Sequence, residues 1–401
     1  MKTIHLFAIV LLLAFTASPA LSQTAPVVSN VVGVQRAGTK LVDITYDLAD
    51  DDSSALYVTL QISSDSGVTW IVPTDSATGQ IGEGITPGAG RAMVWDAGRN
   101  WNNLLSTTMR YRITADDFTG FALIPAGNFS MGAIINAGAN PAPVTVFVSA
   151  FYMAQHEVTK ALWDEVRNWG LLNGYTDLPA GGGKASNHPV QTISWYDMVK
   201  WCNALSQKEG FTPCYTTEGV AYKTGAKDSV ACNWNSMGYR LPTEAEWEKA
   251  ARGGLTNLRY PWGDTITHDQ ANYYSDGASD DLNPTRGFHP SYASGSEPYT
   301  SPVGSFAPNG FGLYDVAGNV WEYCWDWGGY LRALNNYGAR DPKGAATGQS
   351  RIHRGGAWGK PSNYYNTGSS LECSCVMRVE NNSAGYAYNY LGFRLARTIV
   401  K

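Results

Sequence analysis

No cysteine precedes Cys202 in this 401-residue chain, and charged residues make up only 16% of it, against about a quarter in ordinary globular chains. There is no Lys/Arg-rich run. With 29 Lys plus Arg against 34 Asp plus Glu, the net charge is −5, so the electrostatic footprint that nucleic-acid binding demands is missing. Beyond the first residues, no apolar run approaches the roughly 20 residues of a membrane-spanning helix. HExxH, GxSxG and GxxxxGK[ST] are all absent, which excludes zincin, nucleophile-elbow and P-loop chemistry. Helical periodicity is scarce, and we find no internal repeat.

What is present is aromatic and turn-rich: 14 Trp, 23 Tyr, 12 Phe, 43 Gly and 19 Pro. That composition argues for an ordered, loop-rich fold, and the length favours two or three domains at roughly 100 to 200 residues each. Residues 1–22 read as a signal peptide: Lys2, an apolar run from Leu6 to Ala17, and small residues Ala20 and Ser22 at the −3 and −1 positions. The predicted mature protein is secreted, periplasmic or extracellular, without a membrane span. No cysteine follows the leader to carry a lipid. All six cysteines, Cys202, Cys214, Cys232, Cys324, Cys373 and Cys375, fall in the C-terminal part. Oxidising surroundings predict disulfides, with Cys214 and Cys232 flanking a hairpin-like stretch and Cys324 facing Cys373 or Cys375 as a second pair. Cys373 and Cys375 also form a Cys-x-Cys, which can hold a soft metal.

Residues 25–117 alternate with period two. Val42, Ile44 and Tyr46, then Val58, Leu60 and Ile62, then Met109, Tyr111 and Ile113 stand between polar residues, with turn signals separating the runs. This predicts a fibronectin- or immunoglobulin-like β-sandwich. Asp50, Asp51 and Asp52 occupy one of its turns, as a solvated loop or a calcium site. The second domain, 119–398, shows three helices. Thr159 to Trp169 places Leu162, Val166 and Trp169 on one face. Ser194 and Asp197 form a capping box ahead of Trp195, Met198, Val199, Cys202 and Leu205. A third helix starts at Pro242-Thr243, is boxed by Glu246 and stops at Gly253-Gly254. About 150 residues of Gly, Asn, Tyr and Trp with hardly any helical periodicity follow it.

Eight ordered blocks, FALIPAGNFSMGA, HEVTKALWDEV, HPVQTISWYDMVKWCN, GYRLPTEAEWEKAARGG, RYPWGD, PNGFGLYDVAGNVWEY, HRGGAWG and YLGFRLAR, make residues 119–398 resemble the formylglycine-generating enzyme family, the sulfatase-modifying factors. The resemblance implies an α+β, C-type-lectin-like fold with little regular secondary structure, often stabilised by calcium. It also implies copper- and oxygen-dependent conversion of a sulfatase cysteine to formylglycine. It says nothing of the sandwich.

Two thiolates five residues apart after the Arg-Gly-Gly block hold copper in the family. Aligned on Gly355 and Gly356, those positions are Lys360 and Tyr365 here, and the family's active-site serine position is Ala357. A charged ammonium has no lone pair and a phenol is a hard oxygen, so neither replaces a thiolate for copper(I). Copper is therefore not expected, unless Cys373 and Cys375 substitute, and no catalytic residue is assigned. The calcium pattern is better matched. Asp315 and Glu322 flank VAGNV, and the resemblance adds the carbonyls of Gly318 and Val320. The alternative is that these acids cap a turn. A second site would use Asn272 and the carbonyl of Tyr273, with Asp280 or Asp281 as further ligands. His156, His188, His268, His289 and His353 lack metal-ligand spacing, and His156 beside Glu157 reads as structural.

Between Gly359 and Tyr390 the chain is rich in Tyr, Asn and Ser. Tyr supplies rigid contact area while Asn and Ser supply adaptable hydrogen bonds, a paratope-like composition. Lys360, Asn363, Tyr365, Tyr388, Asn389 and Tyr390 are the predicted ligand-binding residues. The segment also resembles the diversified C-terminal stretch of retroelement-encoded variable proteins with this lectin-like fold. The resulting expectation is an exported, calcium-bound, non-catalytic module for a protein, peptide or glycan ligand. A formylglycine-generating oxidase and a diversified receptor are the alternatives.

Overall fold

A computed structural model describes residues 26–51, 53, 55–68, 70, 72–102, 106–118, 120–132, 143–328, 340–359, 369–380 and 383–399. The leader over 1–22, Asp52, and the predicted contact residues Lys360, Asn363 and Tyr365 lie outside these. Two compact units result, Met1–Thr119 and Gly120–Lys401.

In the first unit, β1 (Val27–Gln35), β2 (Leu41–Ala49), β3 (Leu56–Ser63), β4 (Thr78–Gly79), β5 (Gly82–Ile85), β6 (Gly88–Asp96) and β7 (Arg110–Asp116) form two antiparallel sheets, ordered β1-β2-β6-β4 and β5-β3-β7. A single turn, α1 (Ala97–Asn100), follows β6 and is capped by Asp96. Successive side chains of a strand point to opposite faces, so period-two patterning sends Val42, Ile44, Tyr46, Val58, Leu60, Ile62 and Ile113 inward. There they are buried with Met93 and Trp95. Asp50 accepts from the Ser53 amide at 2.5 Å, closing its turn.

The second unit opens with β8 (Phe121–Ile124), β9 (Gly127–Met131), β10 (Val144–Val148) and β11 (Phe151–Ala154). Next come α2 (Lys160–Leu172), α3 (Trp195–Lys208), β12 (Tyr215–Thr217), β13 (Val220–Ala221), β14 (Ala231–Cys232), β15 (Tyr239–Arg240) and α4 (Glu244–Ala251). The chain ends with β16 (Trp321–Trp327), β17 (Arg351–Arg354), α5 (Ser369–Glu372), β18 (Arg378–Val379), β19 (Leu391–Gly392) and β20 (Ala396–Thr398). Its sheets are small, with orders β15-β20-β11-β8, β18-β17-β16-β19, β13-β12-β14 and β10-β9. This is the α+β lectin-like class, low in regular structure. Among the described residues no helix is long and apolar enough to cross a membrane.

All three predicted helices form, and both capping boxes are made: the Ser194 and Thr243 side chains accept from the amides of Asp197 and Glu246, whose carboxylates reach back. The inward face of α2 differs from expectation. Trp163, Val166 and Gly170 are buried, while Leu162 and Trp169 only flank the core. Trp163 stacks on Trp201 of α3 at 5.6 Å, and Gly170 lets α2 approach Leu178 and Ala204, within 3.2 and 3.4 Å of where a Cβ would stand. The predicted disulfides are not formed: all six cysteines are free thiols. Cys232 lies opposite Tyr215, and the carbonyl of Cys214 accepts from Asn233 at 2.7 Å. The two cysteines are thus diagonal neighbours, not a facing pair, and a disulfide needs close, converging Cβ atoms.

Candidate functional site

The segment joining the 300s loop to β16 is folded tightly by positive φ at Asp315 (53°), Gly318 (83°) and Asn319 (59°). Only glycine fits at 318, because a Cβ there would stand 2.4 Å from the Asn272 carbonyl oxygen. The Gly318 amide donates to Gly355 at 2.8 Å and the Asn319 amide to Asn272 at 2.8 Å. One turn therefore ties together the Asn272 segment, the VAGNV turn and the Arg-Gly-Gly block.

Glu322, buried in β16, is gripped by Arg394 through Nε to Oε2 at 2.7 Å and Nη2 to Oε1 at 2.5 Å, and by Trp247 Nε1 at 2.6 Å. Arg394 also donates to the carbonyls of Gln155 and Tyr314 at 3.1 and 2.9 Å. Glu157 completes a triad of buried carboxylates, accepting from Asn319 Nδ2 at 2.9 Å and the Val320 amide at 3.3 Å. Burial, then the Asp315 and Glu322 charges, push Glu157 well above the usual carboxylate range. Burial likewise lifts Asp315 to about 6. Three acids thus share one guanidinium in a dry environment, a field that favours a further cation or a proton.

Which oxygens remain for calcium is decided by hydrogen bonding. Asp315 Oδ2 accepts from the Gly304 amide at 2.6 Å, whereas Asp315 Oδ1 is buried without a partner. Asn272 donates through Nδ2 to Tyr299 at 2.9 Å, and its Oδ1 is also buried and unpartnered. These two hard oxygens suit calcium. Glu322 already has both oxygens engaged. Asp281 is saturated by the Tyr273 and Ser275 hydroxyls, the amides of Asp276, Gly277 and Asn283, and Asn283 Nδ2. The Tyr273 carbonyl accepts from His268 at 3.1 Å, and Asp280 pairs with Arg259 at 2.9 Å. Among the described residues no group of three or more His, Cys, Asp or Glu side chains is arranged to hold a metal ion.

Beyond β17, Gly355 and Gly356 both take positive φ, and Ala357 is 1% exposed within the core. Trp358 donates its amide to Asn319 at 2.8 Å and its indole N–H to the Asn389 carbonyl at 3.2 Å. Its ring packs 5.3 Å from Tyr299 and 6.0 Å from Phe288, which meets Tyr274 at 5.0 Å. The Tyr388 and Tyr390 carbonyls accept from Thr192 and Trp321, each at 2.9 Å. The core thus fixes the backbone beneath a ladder of rings, with Tyr386 5.6 Å from Tyr388 and Tyr388 stacked on Tyr390 at 5.1 Å. Tyr386 and Tyr388 are 45% and 40% exposed. Burial pushes Tyr390 up to about 12, so its phenol stays a neutral donor at ordinary pH. Tyr274, Phe288, Tyr299 and Trp358 were not anticipated. The one sequence signal is the aromatic content of ANYY, GFHP, EPYT and GGAWG.

The thiols fall into three groups. Cys373 Sγ lies 2.7 Å from where a Gly356 Cβ would stand and belongs to a cluster with Tyr260 and Tyr273, whereas Cys324 and Cys375 pack with Trp247. Cys202 and Cys214 sit in the α2–α3 core, with Cys232 packed against it. Burial raises the Cys373 and Cys375 thiols, Cys375 to about 12, which disfavours the thiolate that metal binding and nucleophilic attack require.

The sulfatase-modifying factor enzyme 1-like domain matches residues 109–399. The chain belongs to that family. It is 36% identical to the formylglycine-generating enzyme of Thermomonospora curvata over 60% of this chain and 67% of that one. To the enzyme of the same name from Bos taurus it is 32% identical, over 68% of this chain and 73% of the other. Among solved structures, Treponema denticola variable protein 1 superimposes with a TM-score of 0.52 at 32% identity, covering 71% of this chain and 95% of that one. This sulfatase-modifying-factor-like domain is therefore similar both to named enzymes and to a protein named for its variability.

Proposed function

We propose that the family domain acts as a non-catalytic, calcium-stabilised binding module of an exported protein, gripping a peptide, glycan or surface partner through the Trp358–Tyr388–Tyr390 face. The observation that carries this reading is the chemistry around Gly355-Gly356. The buried Ala357 methyl stands where the family has its serine, Lys360 and Tyr365 stand where it has its two thiols, and Cys373 is a single buried thiol apart from Cys375. A soft-metal oxidase site needs a pair of sulfur donors. The exposed tyrosine ladder, held by backbone bonds to the core, offers preorganised contact area at low entropic cost. Similarity to the Treponema variable protein supports the same reading, and a diversified receptor is its more specific form.

The identity to formylglycine-generating enzymes favours a second reading, a sulfatase-modifying oxidase. Incubating the purified chain with copper(I), oxygen and a cysteine peptide taken from a sulfatase separates the two, with mass spectrometry following the peptide. The binding-module reading expects unmodified peptide; conversion of its cysteine to formylglycine overturns that reading. Tyr388→Ala with Tyr390→Ala should abolish capture on a glycan and peptide array while leaving the melting temperature in place.

A further inference from the structure

A cavity of about 620 Å³ lies elsewhere in the second unit, built from none of the residues of the face above. Its walls come from the β10–β11 corner, the segment around Trp234, the start of α4, the 340–343 loop and the end of β20. The size is that of a small-molecule site.

Its charges are unevenly committed. Glu246 is spent on Arg240, with both contacts at 2.7 Å, and on the Thr243 amide at 2.8 Å. Arg240 also donates to the Thr398 hydroxyl and the Leu241 carbonyl. Asp341 is spent on Ser149, accepting from its amide at 2.6 Å and its hydroxyl at 2.9 Å, which pins the 340–343 loop to the β10–β11 corner. Two cations remain. Lys343 stands 4.6 Å over the Trp234 ring, with no carboxylate in ion-pair range among the described residues. Arg340 lies 4.0 Å over Phe147, is 62% exposed and reaches Asp341 only at 3.7 Å. The rings sit under the charged heads themselves, and neither head has a hydrogen-bond partner among the described residues. Ala150, Ile399 and the half-buried Trp234 give the cavity an apolar wall. In a chain of net charge −5, this is a local positive field beside apolar surface.

We infer that this cavity binds a small organic anion, a carboxylate carried on an apolar ring. Lys343 and Arg340 receive the carboxylate by charge-assisted hydrogen bonds, and the ring lies against Ala150, Trp234 and Ile399. The test titrates the full chain with 2-naphthylacetate, its neutral amide 2-naphthylacetamide, and glucuronate, read by calorimetry and ligand-observed NMR. Saturable binding of the naphthylacetate is expected, weakened at least about tenfold in the amide, in glucuronate and in a Lys343→Gln/Arg340→Gln double variant that melts like wild type. Lys343→Arg should retain binding, which separates loss of charge from loss of fold. Equal affinity for the amide, undiminished binding by the double variant, preference for glucuronate, or no saturation by naphthylacetate at millimolar concentration each overturns the assignment.

Discussion

Arg394 neutralises one of three carboxylates that the turn and its neighbours bury together, and the balance there is set by which oxygens are already occupied. Removing one partner of a buried ion pair costs about 3–5 kcal/mol, because the other charge is left unpaired. Arg394→Met should therefore lower the denaturant midpoint by that much, and Glu322→Gln by less, since the amide still accepts from Trp247 and Arg394. The proposed calcium would act on a different atom, Asp315 Oδ1. At about a hundred times its Kd an ion bound to the native state alone adds ~2.7 kcal/mol, so melting curves with calcium and with chelator should separate, and Asp315→Ala should bring them together. A response that survives Asp315→Ala relocates the ion. Asp315, Gly318 and Glu322 were legible as a motif because they lie close together in sequence, in the turn and the start of β16 that follows it. The grip of Arg394 on Glu322 and the arrival of Glu157 were not, because those partners stand 72 residues away from Glu322 and 162 from Asn319, and spacing carries no information about such contacts.

At the scale of elements, sequence signals were sound where they were local. Both capping boxes consist of residues three apart, so the starts of α3 and α4 could be read directly; Ser194→Ala should cost about 1 kcal/mol in stability. The inward face of α2 was misread by one position, since its apolar residues outline two overlapping stripes. Tertiary packing chose between them: Trp163 stacks on Trp201, and Gly170 admits the neighbouring helix. Trp163→Ala should consequently destabilise by about 3–5 kcal/mol, and Trp169→Ala, at the rim, by markedly less; chemical denaturation of both distinguishes the two faces. The cysteine reading failed for a related reason. Flanking a hairpin does not fix register, and an offset of one residue turns a facing pair into a diagonal one.

The whole molecule adds a pH dependence that no single element reveals. Asp326, in β16, is 3% exposed and accepts from the Glu244 amide at 2.7 Å. Burial, reinforced by the Glu244 carboxylate, pushes it up to about 7. Between pH 4 and 7 the folded state therefore holds a proton that the unfolded state has released, and stability falls as pH rises through that window, by on the order of 4 kcal/mol at its upper end. His353, also buried, is displaced the opposite way: burial lowers it to about 4. In the folded state it stays neutral where the unfolded imidazole is charged, so its contribution is lost as pH falls from about 6.5 towards 4, by on the order of 3 kcal/mol. The two slopes oppose each other within one unit. Asp326→Asn removes the falling limb, so the variant should gain on wild type steadily from pH 4 to pH 7 in denaturant titrations followed by tryptophan fluorescence. His353→Phe should gain on wild type in the reverse direction, towards low pH. A stability difference between Asp326→Asn and wild type that stays constant across the window would mean that Asp326 is ionised in the folded protein, and the buried charge would then have to be balanced by Arg378 or Arg351.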